Sequence, residues 1–199
     1  RLAGVALGGQ PGGLHPEWSG RVTRAVIANA PHPAIFQRLL LTNAEQRAAS
    51  QYIRTFRDPA SDAIIEEHGI AGILAHAFAG RVPSGGIQPP DEIARLLKDW
   101  EDRDTCRAMI NWYRGSPANV PAMDDPYAEP PAMPFPKLTI PTLVVWALDD
   151  VALPPCNLDG IEELVPDITI VKVPGCGHFV RWEAPAAVNA AMDAFLAAN

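Results

Sequence analysis

The chain has 199 residues, 48% of them apolar and 20% charged, with a formal net charge of −7. That is enough for one domain, or a core with an inserted lid, and it suits a soluble globule with a real core. The acidic balance disfavours nucleic acid or an anionic membrane as the main partner, and no apolar run is long enough to span a bilayer. The first residues lack the basic, apolar and small-residue order of a signal peptide. Cys106, Cys156 and Cys176 are an odd set without metal-ligand spacing, which fits reduced thiols in the cytoplasm.

Ala25-Val26-Ile27-Ala28 predicts a short buried strand. It ends at Asn29-Ala30-Pro31-His32-Pro33, whose prolines argue against a helix directly afterwards. From there the pattern turns helical, with no convincing strand. Thr42 and Glu45 have the spacing of a capping box ahead of a helix through about Arg57. Apolar residues recur at helical spacing from Ile64 to Phe78. Pro90-Asp91-Glu92 suits the first turn of a helix through Trp100. A further helix runs from Arg103 to Tyr113 and is ended by Gly115 and Pro117. Two breaker-rich loops, Pro83 to Pro90 and Pro117 to Pro141, interrupt this block.

The α/β pattern then returns, as a strand over Leu143 to Trp146, a helix over Asn157 to Leu164, a strand over Ile168 to Val173 and a closing helix over Pro185 to Ala198. The expected fold class is α/β. Residues 1–31 and 140–199 form a parallel sheet with flanking helices, and residues 32–139 form an inserted helical cap with a proline-rich return loop.

The chemistry concentrates near the end. Asp150 follows an apolar strand, and His178 lies 28 residues on, in the turn Pro174-Gly175-Cys176-Gly177-His178-Phe179. Glycines let such a turn bend sharply at the C-terminal edge of a parallel sheet. An acid on the neighbouring strand end can hold the imidazole in one tautomer and stabilise its protonated form. Asp149 competes with Asp150 for that role. Cys176 is a candidate thiol nucleophile, although neighbours in one tight turn rarely point at each other. His32 fits a role in fixing its loop; His15, His68 and His76 show no partner pattern. Glu66-Glu67 and Glu162-Glu163 read as solvated helix faces.

From Arg21 to Asn199 the chain resembles the α/β-hydrolase superfamily, specifically its epoxide hydrolase branch and the related dehalogenases. Asn29-Ala30-Pro31-His32-Pro33 is similar to the strand-to-cap junction. Pro141 to Trp146 with Asp150 is similar to the acid strand, and Pro174 to Phe179 with Glu183-Ala184-Pro185 to the histidine loop. Asn111-Trp112-Tyr113-Arg114 and Tyr52 are similar to the two cap tyrosine motifs of the epoxide branch. The resemblance implies that Tyr52 and Tyr113 hold an epoxide oxygen while His178, oriented by Asp150, activates water. It implies a small apolar epoxide or ester-like substrate, and no metal or cofactor.

One family position differs. The nucleophilic aspartate of the family's elbow corresponds to Ala6 in Gly4-Val5-Ala6-Leu7-Gly8-Gly9, and Gln10 to Pro16 carries two prolines and two glycines where a helix should begin. The earlier half of the family's sheet has no counterpart. An exposed sheet edge is then expected, and with it a homo-oligomer paired through that edge. Epoxide hydration is the leading expectation. The alternatives are an esterase, lactonase or dehalogenase, and a pocket that binds without turnover.

Overall fold

The computed structural model describes residues 2–6, 22–77, 95, 98, 100–130 and 135–198. The segment after Ala6 and most of the helix expected over Pro90 to Trp100 lie outside the described residues.

Four strands, β1 (Leu2–Ala6), β2 (Val22–Ala28), β3 (Thr142–Ala147) and β4 (Ile168–Val173), form a parallel sheet in the order β1-β2-β3-β4. Parallel pairing puts all four C-terminal ends on one edge, where Ala6, Asn29, Asp150 and the histidine turn gather. Every residue of β3 is buried, which explains its unbroken apolar run. Its side chains alternate between two covers. Leu143, Val145 and Ala147 pack with Val26 and Val173 against Val180 of α6 (Val180–Glu183) and Val188 and Phe195 of α7 (Pro185–Ala198). Val144 and Trp146 face Ile35 and Leu39 of α1 (Pro33–Thr42), with Leu158, Ile161 and Val165. Each such large apolar side chain contributes roughly 1.5–3 kcal/mol on burial.

Three local expectations are corrected. A helix does begin directly after Pro31-His32: Pro33 occupies its first turn, where a missing N–H is no loss. His32 is the N-cap, its Nδ1 accepting from the Ala34 N–H at 3.2 Å. Thr42 does not open a capping box. It ends α1, its hydroxyl donating to the Arg38 carbonyl at 2.9 Å, and Asn43 caps α2 (Ala44–Ala49) by accepting from the Gln46 N–H at 2.9 Å. Asparagine is the stronger cap and sits one residue nearer the helix. The stretch from Asn157 to Leu164 forms no α-helix. Gly160, at φ 78°, separates two 3₁₀ turns, Pro155–Leu158 and Ile161–Glu163.

Among the described residues the segment between β2 and β3 is helical, with no strand. α3 (Gln51–Arg57), α4 (Ala60–Ala77) and α5 (Arg103–Arg114) share a separate core of Phe56, Ile65, Ile70, Ile73, Cys106 and Ile110. Gly69 bends α4 with φ 66°, and a side chain there would strike Arg103. No helix among the described residues is long and apolar enough to cross a membrane.

The chain after α5 is gripped by its carbonyls. Arg57 donates to the carbonyls of Tyr113, Ser116 and Ala118 at 2.8–2.9 Å, and Arg54 and Gln51 reach those of Val120 and Pro121 at 3.0 Å. Proline-rich chain has few N–H groups for a ladder but keeps every carbonyl, so long donors from α3 replace the ladder. Arg47 extends this from 0% exposure, donating to Leu40, Leu41 and Asp125 carbonyls with its guanidinium 4.2 Å from the Tyr127 ring centroid. Arg47→Ala should therefore lower unfolding free energy by about 3 kcal/mol or more, because it leaves a cavity and takes the guanidinium donor from the Leu40 and Asp125 carbonyls, while the Leu41 carbonyl keeps the Ala128 N–H. Urea denaturation measures this, and a loss below about 1 kcal/mol would contradict the clamp.

Candidate active site

β4 leaves the sheet through Pro174-Gly175, with Gly175 at φ 67°, a conformation that glycine adopts freely. Two contacts then fix the histidine turn. The Asp149 N–H donates to the Cys176 carbonyl at 3.0 Å, tying the exit of β3 to the turn. The Gly177 and Phe179 N–H groups, on either side of His178, donate to the two carboxylate oxygens of Glu183 at 2.6 and 3.1 Å.

His178 Nδ1 lies 2.8 Å from Asp150 Oδ2. The Asp150 side chain is wholly buried, whereas the His178 side chain is 32% exposed. Asp150 Oδ1 accepts from the Ala152 and Leu153 N–H groups at 2.8 and 3.0 Å, and Oδ2 also accepts from Asn29 Nδ2 at 2.7 Å. A carboxylate, which only accepts, satisfies every one of these donors. With Nδ1–H donating to Asp150, Nε2 is left as the acceptor of a neutral imidazole. Asp149, the competing candidate, is exposed.

Tyr52 on α3 and Tyr113 on α5 line the same cavity of about 530 Å³ as His178 and Asn29. Their rings meet edge to face with centroids 5.6 Å apart, both against Phe56, and each hydroxyl perturbs the titration of the other. Phe36, Ile53, Trp112, Leu153, Phe179 and Val180 supply apolar wall. Burial, reinforced by the neighbouring Tyr113 and Asp150, holds the Tyr52 phenol well above the ordinary tyrosine range. Burial raises Tyr113 too, partly offset by the Tyr52 hydroxyl. Both remain protonated donors through neutral and mildly alkaline pH.

The folded state keeps these protons where the unfolded chain loses them, so their contribution to stability is complete below about pH 10 and falls above it. In a Tyr127→Phe variant, which retains only Tyr52 and Tyr113, absorbance titration should show no phenolate until the pH passes the ordinary tyrosine value. Ionisation of either at that value would contradict the packing.

The remaining candidates fall elsewhere. Cys176 is 3% exposed, and burial, with the carboxylates of Glu183, Asp149 and Asp150, pushes its thiol up, against thiolate formation. It is not among the described residues that line the cavity. The His32 ring caps α1 and lies edge-on to Phe135, centroids 5.5 Å apart; burial lowers its pKa and favours the neutral acceptor. Glu66, Glu67, Glu162 and Glu163 are exposed. Ala6 ends β1 opposite Ile27 of β2, on the edge that carries Asp150 and His178, and the expected elbow beyond it lies outside the described residues.

Asn29 and Glu183 belong to the strand-end and histidine-loop segments, but the sequence alone assigns them no role. Asparagine at a strand end before Ala-Pro, and glutamate five residues after the histidine, were the available signals.

No protein-family profile matches the chain. It is 57% identical to a solved structure from work on novel epoxide hydrolases of the alpha/beta hydrolases superfamily in metagenomes from hot environments; the match covers 89% of this chain and 60% of that one, with a TM-score of 0.83. An epoxide hydrolase variant from Bacillus megaterium is 26% identical with a TM-score of 0.72, covering 91% of this chain and 63% of that one. AB hydrolase superfamily protein YfhM of Bacillus subtilis (strain 168) is 24% identical over 171 residues, 83% of this chain and 54% of the relative. Epoxide hydrolase 2 of Caenorhabditis elegans is 26% identical over 186 residues, 89% of this chain and 48% of the relative. The chain thus spans about half the length of these curated relatives.

A parallel sheet with helices on both faces, similar to about 60% of a solved relative, makes this a partial α/β-hydrolase core. Within that superfamily the chain is similar to epoxide hydrolases.

Proposed function

We propose that the chain hydrates an epoxide to a vicinal diol, with the helices between β2 and β3 acting as a cap over the site. The observation that carries this reading is that two phenols in ring contact and an imidazole bonded to Asp150 line one cavity. Epoxide opening needs a proton donor at the ring oxygen and a nucleophile at a ring carbon. Tyr52 and Tyr113 hold the oxygen through their hydroxyls. His178 Nε2 takes a proton from water, whose oxygen bonds to the ring carbon as the C–O bond breaks. A tyrosine proton passes to the alkoxide, and the proton held by His178 restores the phenol. Water and epoxide are thus consumed, and diol is the sole product. Direct attack by water is the route this sequence supports, since Ala6 supplies no carboxylate where the resemblance expects one.

Two other readings have specific support. The Asp150–His178 pair would equally serve an esterase, lactonase or dehalogenase, and Ala6 favours a pocket that binds without turnover. Parallel assays with styrene oxide and phenyl acetate separate the three. Diol formation exceeding ester hydrolysis supports the proposal. Ester hydrolysis without diol points to the other hydrolases. Epoxide binding by calorimetry with neither turnover points to a binding protein.

A further inference from the structure

Asn29 is the residue at which the chain leaves β2. It is 7% exposed, and it is the sole non-glycine with positive φ (43°) among the described residues. Asparagine tolerates that region better than most residues. The conformation is held from several sides. Its N–H donates to the Val145 carbonyl at 3.0 Å, and Oδ1 accepts from the Ala147 N–H at 2.7 Å. Nδ2 donates to Asp150 Oδ2 at 2.7 Å and, more weakly, to the Gly177 carbonyl at 3.4 Å. One side chain therefore binds the end of β3, the acid and the histidine turn.

The geometry points to Asn29 as a positioning residue, one that sets the plane of the Asp150 carboxylate and, through it, the tautomer and aim of His178. The inference rests on the reading of Asp150 and His178 as the acid–base pair. Asp150 Oδ1 is fixed by two backbone N–H groups, but Oδ2 can still rotate about that anchor. Two donors converge on Oδ2: His178 Nδ1–H and Asn29 Nδ2–H. The histidine is the group to be oriented, so the independent constraint comes from Asn29. Oδ1 of the same amide is fixed to β3, which makes the constraint rigid.

Asn29→Asp is the discriminating variant. Aspartate matches asparagine in size, tolerates positive φ and keeps an acceptor for the Ala147 N–H. The nitrogen that donates to Asp150 Oδ2, and more weakly to the Gly177 carbonyl, becomes an acceptor oxygen. A residue that merely closes the strand end should accept this change; a positioning residue should not. The first readout is the low-field imidazole Nδ1–H proton resonance, assigned by its absence from His178→Ala. It should be lost or move upfield in folded Asn29→Asp. The second is styrene oxide turnover, in which kcat should fall about 10- to 100-fold with KM changed less than about threefold. An unchanged resonance with wild-type kcat would overturn the proposal, as would a resonance unchanged in a protein whose only defect is a lower melting temperature. If wild-type protein shows no turnover, the functional reading fails and the resonance alone decides for or against Asn29. If Asn29→Asp does not fold, Asn29→Gly, which accepts the same φ without adding charge, is read by the same resonance.

Discussion

His178→Ala is expected to lower diol formation from styrene oxide by about 10²- to 10⁴-fold, the usual contribution of a positioned general base. In the direct-attack scheme no other described group both reaches the cavity and offers a free acceptor nitrogen. Nδ1 is committed to Asp150 at 2.8 Å, so all of the base strength is at Nε2. The loss should appear in kcat, because the apolar wall that binds the substrate is left intact. The variant should stay folded: Asp150 keeps the N–H donors of Ala152, Leu153 and Asn29, and Glu183 still anchors the turn. A loss below about tenfold in a folded variant would show that His178 is not the base.

The second large effect belongs to the tyrosines. Removing one preorganised donor from a developing oxyanion costs about 10²- to 10³-fold. Tyr52→Phe and Tyr113→Phe should each fall in that range for epoxide turnover. The double variant should be worse than either but not the product of the two, because the two rings are in contact and their hydroxyls serve one oxygen. Phenylalanine preserves the ring cluster with Phe56, so binding and stability should change little. Any ester turnover should survive, since an ester does not need a donor at a ring oxygen. Equal losses on both substrates would remove the case for epoxide specificity.

Much of the sheet was legible because its signals are local. An apolar run such as Leu143 to Trp146 is what a strand buried on both faces requires, and β4 and α7 follow from equally continuous patterns. The errors arose where one residue outweighed a window. Pro33 could start a helix because His32 capped it, Asn43 displaced Thr42 as the cap, and Gly160 cut a helical pattern into two 3₁₀ turns. The same contrast holds at the site. Asp150, His178, Tyr52 and Tyr113 were each nameable from a motif. The roles of Asn29 and Glu183 were not: Asn29 meets the Asp150 carboxylate 121 residues along the chain, and Glu183 acts through the path of a turn that brings the Gly177 and Phe179 N–H groups onto its carboxylate. The grip of Arg47 and Arg57 on the proline-rich chain was hidden for the same reason, since carbonyl acceptors leave no mark in sequence.

The most direct measurement is the source of oxygen in the first turnover. Enzyme in molar excess over styrene oxide would be mixed in water enriched in heavy oxygen and the diol analysed by mass spectrometry. Attack by water activated at His178 puts the heavy isotope into the diol formed in that single turnover. Diol carrying ordinary oxygen from the protein would contradict direct attack and reveal an enzyme carboxylate as nucleophile; no diol from well-folded protein would contradict epoxide hydration by this chain altogether.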